Sequence, residues 1–214
     1  MKMKGKIFLL VLLALCLAAV TCAQAVTADE ILGTVDGSTY ENRMIGLGCT
    51  FDGWHYQSED EIAATNKLAK SMMNDDILKM VEAAQNITVM AVQSVTGFEN
   101  ANVQIQNVKD YVSIYESVGL KYVANLTVDQ FRQALESMGY SNLTMTVGDV
   151  VIGGETFACL DAAGTLYGVQ VYMKQVWMIS GNYMVYITAT TGLTNSTDDV
   201  LSNFYLLDDL TKTD

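Results

Sequence analysis

His55 is the only histidine in the 214-residue chain, so it is the first residue to test for chemistry. Histidine titrates near neutrality and is the commonest general base. To catalyse, it needs a nucleophile within hydrogen-bond reach and a third group that holds its ring. The chain has no Gly-x-Ser-x-Gly turn, and neither Cys49 nor Cys159 sits in a nucleophile setting. His55 follows Trp54 beside the Asp52-Gly53 turn. The expectation is therefore a surface strand histidine and no catalytic residue.

Metal and cofactor patterns are also missing. One histidine and two cysteines outside the leader are too few for the four N/S ligands of structural zinc. Asp75-Asp76, Asp198-Asp199 and Asp208-Asp209 match no calcium loop, and two of these pairs fall in helix first turns, where the helix dipole accounts for them. Met90, Met145, Met173, Met178 and Met184 offer soft thioethers, but their spacing is that of strand core residues. Gly46-Leu47-Gly48 and Gly153-Gly154 lack the Lys-Ser/Thr and helix start of a phosphate loop. No metal or cofactor is expected. Carboxylate pairs that hydrolyse glycosides meet through the fold, not through spacing, so an extracellular hydrolase stands as an alternative. Four Asn-x-Ser/Thr sequons, at Asn86, Asn125, Asn142 and Asn195, are read as chance because the leader is bacterial in type.

Two features remain open at this level. Cys49 and Cys159 either form a disulfide, which an oxidising compartment favours, or stay as buried thiols. Tyr167, Tyr172, Trp177, Tyr183 and Tyr186 gather around the last hairpin of a chain with 11 tyrosines. Strand alternation puts Tyr172, Lys174, Val176 and Met178 on one face and Val171, Met173, Gln175 and Trp177 on the other. Exposed, these aromatics would make a protein-interaction surface; covered by helices, they would be core.

The chain begins as an address. Lys2, Lys4 and Lys6 precede an apolar run over residues 7–20, and Ala23-Gln24-Ala25 is a cleavage site of the A-x-A type. Residues 1–25 read as a signal peptide and 26–214 as a single domain, secreted or extracellular, with no transmembrane segment after cleavage. The alternative is a membrane-anchored lipoprotein held through Cys22, although Ala19 and Thr21 stand where such signals have Leu and Gly or Ala. The chain carries a net charge of −12, and the leader contributes only lysines. Nucleic acid is excluded as a partner, since phosphate binding needs clustered Lys and Arg.

The elements that position these residues follow from periodicity. Residues 26–32 read as a loose leader. A hairpin turns at Asp36-Gly37, and residues 44–51 form a strand ending at Asp52-Gly53. Ser58 and Glu61 form a capping box opening a helix with Ile62, Thr65, Leu68 and Ala69 on one face, and Asn74 caps a second. Strands over 87–96 and 102–108 make a hairpin, and residues 111–118 suggest a short helix of ambiguous period. Thr127 with Gln130 is a capping box opening a helix that Gly139 ends. Strands follow over 143–147, 150–152 and 156–160. A long hairpin, 169–179 and 183–190, turns at Ser180-Gly181-Asn182. Ser196 or Thr197 caps a last helix with Val200, Leu201, Phe204 and Leu207 on one face. The chain has no proline, so turns fall to Gly, Asn, Asp and Ser. The class is α+β: an α/β/α sandwich with an antiparallel sheet flanked by helices.

Tyr40-Glu41-Asn42, Ile45 to Trp54, Ser58 to Ile62, Val128-Asp129-Gln130-Phe131, Leu135 to Gly139, Lys174-Gln175-Val176 and Gly181 to Met184 together resemble uncharacterised secreted proteins of gut Firmicutes. At the level of fold these resemble the Mog1/PsbP-like group. That group often has Pro before the Gly-Trp turn, where this chain has Asp52. The resemblance implies a binding or accessory role without shared catalytic residues, so no site is carried over. The expected function is a secreted or cell-surface binding module for an unknown protein. A small ligand is the second expectation.

Overall fold

A computed structural model describes residues 26–67 and 73–207, with side chains from 76 onward in the second stretch. The leader, Cys22, Leu68, Ala69 and Asp208-Asp209 lie outside the described residues, as does the side chain of Asn74. Among the described residues, no helix is long and apolar enough to cross a membrane.

The loose leader expected over 26–32 is instead a short helix, α1 (Ala28–Leu32). Thr27 and Glu30 close a capping box on it, with the Thr27 N–H donating to Glu30 Oε2 at 2.7 Å. Ile31 is fully buried, so the helix is pinned to the core. The hairpin β1 (Thr34–Asp36) and β2 (Thr39–Asn42) follows as expected, and then β3 (Leu47–Thr50). After Asp52-Gly53 the chain leaves this sheet. Its next strand, β4 (His55–Tyr56), pairs with β5 (Ile87–Gln93) in a second sheet. Between them lie α2 (Glu59–Thr65), opened by the Ser58/Glu61 capping box, and α3 (Met73–Glu82).

β6 (Glu99–Asn107) returns along β5. Then come α4 (Val112–Val118), α5 (Leu120–Ser137) and four long antiparallel strands. These are β7 (Tyr140–Ile152), β8 (Glu155–Leu166), β9 (Val169–Ser180) and β10 (Tyr183–Gly192). The separate strands expected over 143–152 are one continuous strand. The last described elements are α6 (Thr197–Leu201) and β11 (Phe204–Leu206). The last helix thus stops before Phe204, which pairs with Cys49 of β3 instead of continuing a helical face.

The sheets run β1-β2-β3-β11 and β4-β5-β6-β10-β9-β8-β7, all antiparallel. The α+β class with a mainly antiparallel sheet is as expected. One face of the large sheet shares its core with the small sheet and with α1, α2, α3 and α6, and α5 lies across β7, β8 and β9. The core between the sheets joins Tyr40, Leu47 and Phe51 to Val103, Ile105, Val176, Val185 and Ile187. Alternation explains it: Val185, Ile187 and Ala189 belong to this core, while Tyr186 and Thr188 between them do not, although Thr188 is also buried.

Thr127 does not open a helix. It lies in the middle of α5, where its Oγ1 donates to Ala124 O at 2.9 Å. A threonine inside a helix satisfies its hydroxyl on the preceding turn in this way.

Candidate functional site

His55 lies on the short edge strand β4 and is largely exposed. Its Nε2 is 3.8 Å from Glu61 Oε2. That carboxylate is already held by Ser58, whose N–H and Oγ each donate to it at 2.8 Å. The backbone and side chain of Ser58, followed by His55, keep Glu61 below the usual carboxylate range. Glu30 is lowered in the same way by Thr27. Both are exposed cap residues. Among the described residues, no cluster of three or more His, Cys, Asp or Glu could hold a metal.

Cys49 and Cys159 are free, buried thiols in the structure. Cys49 Sγ lies 3.7 Å from Tyr56 Oη, and Cys159 Sγ donates to Asp161 Oδ2 at 3.6 Å. Burial pushes Cys49 up to about 12. Burial, with the Asp161 charge, pushes Cys159 to about 11. Neither is an activated nucleophile, because activation requires a lowered thiol pKa.

The five aromatics of the last hairpins do not form one surface. Tyr167 stands at the β8–β9 turn, 91% exposed, at the opposite end of β9 from Tyr183. Tyr172 is half-buried, and half-buried Tyr183 packs against the core. Trp177 and Tyr186 are brought together as cross-strand neighbours, with ring centroids 5.4 Å apart and edge-on. Trp177 is only 5% exposed. Its Nε1 donates to Gln175 Oε1 at 3.0 Å, and Tyr186 Oη donates to Gln106 Oε1 at 3.3 Å.

This pair is the floor of a larger feature. Tyr186 is pushed up to about 12 by burial and by the nearby Tyr115 of α4. Tyr115 in turn neighbours Tyr111, with ring centroids 6.3 Å apart. The aromatic chain therefore climbs from the sheet to α4. That helix has no buried residue, although most of its sequence is apolar or aromatic. Tyr111, Ile114, Tyr115 and Val118 fall within an arc of about 100° at 100° per residue. Beyond Gly119, Tyr122 and Leu126 project from α5 on the side opposite its buried Ala124 and Leu135. Tyr111, Ile114, Val118, Tyr122 and Leu126 are each between 44% and 63% exposed. Large apolar side chains gathered on the surface of consecutive helices mark an interaction site.

The signal for this stripe is present in the sequence, as Tyr111, Ile114, Tyr115 and Val118 at i, i+3, i+4 and i+7. That spacing ordinarily marks a buried face, and only the fold shows that nothing among the described residues covers this one. No protein-family model matches the chain, and no curated protein sequence matches it.

Proposed function

We propose that the chain is an exported, non-enzymatic binding module whose partner is a protein docking on α4 and α5. One observation carries this reading: α4 buries none of its residues in its own domain while presenting Tyr111, Ile114 and Val118 outward. Aromatic anchors such as Tyr111 concentrate binding energy at protein interfaces, and the apolar residues beside it extend the patch. The basic n-region, apolar run and A-x-A site support export. The secreted gut Firmicutes group, with its Mog1/PsbP-like sandwich, remains the family reading. Its support is the spread of quoted motifs and the helical layer over one face of an antiparallel sheet.

The test is photo-crosslinking from α4 on the host's surface. A partner captured from a crosslinker at residue 118 should be lost with Ile114→Lys and retained with Val35→Lys, a control on the other sheet. Ile114→Lys should leave stability within about 0.5 kcal/mol, as for an exposed position. Equal capture by both variants would sink the assignment.

A second reading, a small-ligand site, is favoured by a cleft of about 520 Å³ between the sheets. Leu32, Tyr56, Val89 and Met90 line it, with Asp29 and Glu59 among its charged residues. Its size is that of a small-molecule pocket. A thermal-shift screen would separate the two readings.

A further inference from the structure

The large sheet has a second face, turned away from the small sheet. Register gives its neighbours. Asn102, Thr188 and Gln175 stand side by side on β6, β10 and β9, with Asn100 and Thr190 on one side of them and Gln104 and Tyr186 on the other. Val103, Ile105, Val185 and Ile187, which alternate with them, belong to the core on the opposite face. α3 and α6 pack on β6 and β10 from that core side. The elements that border the undescribed stretches, α1, α2, α3 and β11, contribute to the same core. Among the described residues, Asn100, Asn102, Gln104, Gln175 and Thr190 remain half-exposed.

This face carries carboxamides and hydroxyls and no acid or base. The charges adjacent in sequence point the other way: Glu99 Oε1 accepts from Ser196 Oγ at 2.9 Å, and Lys174 pairs with Asp161 and Asp198. Charge returns past Gln104 at the β5 edge, in a recess lined by Lys67, Asp76 and Lys79. Asn is depleted in strands, yet Asn100 and Asn102 take alternate positions in a strand paired on both sides. Among the described residues, neither side chain makes a hydrogen bond. Residues that break a local rule with no structural return mark functional positions. Their neighbours are held in place. Gln104 Nε2 donates to Thr88 Oγ1 at 3.3 Å, and Gln175 Nε2 donates to Thr188 Oγ1 at 3.2 Å. Side chains fixed in advance lower the cost of binding. Aromatic rings stand at both ends. Phe98, 50% exposed, lies so near Gly192 that an added Cβ there would be 3.2 Å from its Cδ1. Tyr186, with Tyr115 close by, stands at the other end.

We propose that this face of β6, β10 and β9 binds a neutral oligosaccharide. Charge selects the ligand class. A phosphate ligand needs clustered Lys and Arg, a hard cation needs carboxylates, and a protein partner draws on a hydrophobic centre. The centre here is Asn102, Thr188 and Gln175. A carboxamide sets a donor beside an acceptor, and a sugar hydroxyl is both, so the free amides of Asn100 and Asn102 match pairs of neighbouring hydroxyls. The rings at the ends match the C–H faces of the sugars. Same-face residues lie about 7 Å apart along a strand and strands about 4.8 Å apart, so the face takes a short chain of sugars. The inference goes beyond the protein-docking reading and does not rest on it, because it uses the sheet and not the outward side of α4.

NMR titration of the isotope-labelled chain tests it. The probes are maltohexaose, cellohexaose, xylohexaose and mannohexaose, with a galacturonate hexamer as the anionic control, and a neutral-glycan array widens the search. The expected result is binding of a neutral probe that shifts the side-chain NH2 signals of Asn100, Asn102 and Gln104. Affinity should be unchanged by salt, since no charge is involved. Asn100→Ala/Asn102→Ala should weaken binding about tenfold or more, as the loss of two or more hydrogen bonds does. Phe98→Ala, at an exposed position, should weaken it too and covers the case in which the double variant fails to fold. Ile114→Lys should leave it unchanged, which separates this site from the docking patch on α4. Failure of every neutral glycan to bind more tightly than about 1 mM overturns the proposal. So does binding that the asparagine and phenylalanine variants leave intact, or binding of the anionic probe alone.

Discussion

Asn42 is fully buried on β2, and its side chain joins three parts of the chain. Its Nδ2 donates to Ile31 O at 2.8 Å and to Tyr40 Oη at 3.1 Å, and its Oδ1 accepts from Ile45 N–H at 3.3 Å. Tyr40 Oη itself donates to Leu32 O at 2.9 Å. The amide therefore locks α1 to the small sheet. Replacing it with an apolar residue strands a buried N–H and removes a partner from a buried carbonyl, and each such loss costs about 1–3 kcal/mol. Asn42→Leu should lower stability by about 2–4 kcal/mol in a urea titration, with an unchanged slope. A loss below about 1 kcal/mol would mean that Ile31 and Ile45 find other partners. None of this role was legible in the sequence. Asn42 stood out only inside a family-like motif, and its partners are defined by a helix that the sequence reading took for a loose leader. Lys174 is a similar case. Its strand face followed from alternation, but its two ion-pair partners did not, since Asp161 is set by register and Asp198 by the position of α6.

Elements were legible where the local signal and the fold agree. Thr27/Glu30, Ser58/Glu61 and Thr127/Gln130 carry the same kind of capping signature, yet only the first two cap. A cap residue needs extended backbone, which Thr27 and Ser58 have. The residues before Thr127 are already helical, because the stripe that begins at Leu120 continues through it. The actual break lies earlier, at Gly119, with φ 79° and ψ 139°. That conformation separates α4 from α5 and tilts α4 off the axis of the longer helix, and residues with a side chain adopt it only under strain. Gly119→Ala should therefore cost about 1–3 kcal/mol. Amide exchange would rise throughout α4, which has no buried side chain to resist opening. If the variant were as stable as the parent and α4 and α5 fused into one helix, the break would have no structural role.

At the scale of the whole molecule, the two-sheet arrangement was out of reach of local reasoning. β11 closes the small sheet against β3 from the other end of the chain, and β10 is inserted beside β6. Both pairings are long-range, and period-2 alternation says which face is buried but not which strand is adjacent. One consequence of the resulting core is a direction of pH sensitivity. Burial raises Cys49, Cys159, Tyr40, Tyr56 and Tyr186, and more moderately Tyr140 and Tyr183. Lys174 is raised too; burial opposes its charge, but its bonds to Asp198 and Asp161 together outweigh this. In every case the folded state holds the proton more tightly than the unfolded state. Stability is then fully present below the unfolded pKa and falls as pH rises toward the folded one. The unfolded values begin near 8.5 for thiols and near 10 for tyrosine and lysine. On the acid side, among the described residues, the exposed caps Glu30 and Glu61 are lowered, so their contribution is lost as pH falls below the ordinary carboxylate value. Chemical denaturation across pH should give a broad plateau through neutrality and a decline that starts between about 8.5 and 10 and steepens above it. Cys49→Ala should remove most of the first part of that decline and leave the steep tyrosine part in place. If the onset stays where it was, the thiols do not titrate, as they could not in a Cys49–Cys159 disulfide, and mass spectrometry after alkylation without reductant would then find both cysteines unmodified.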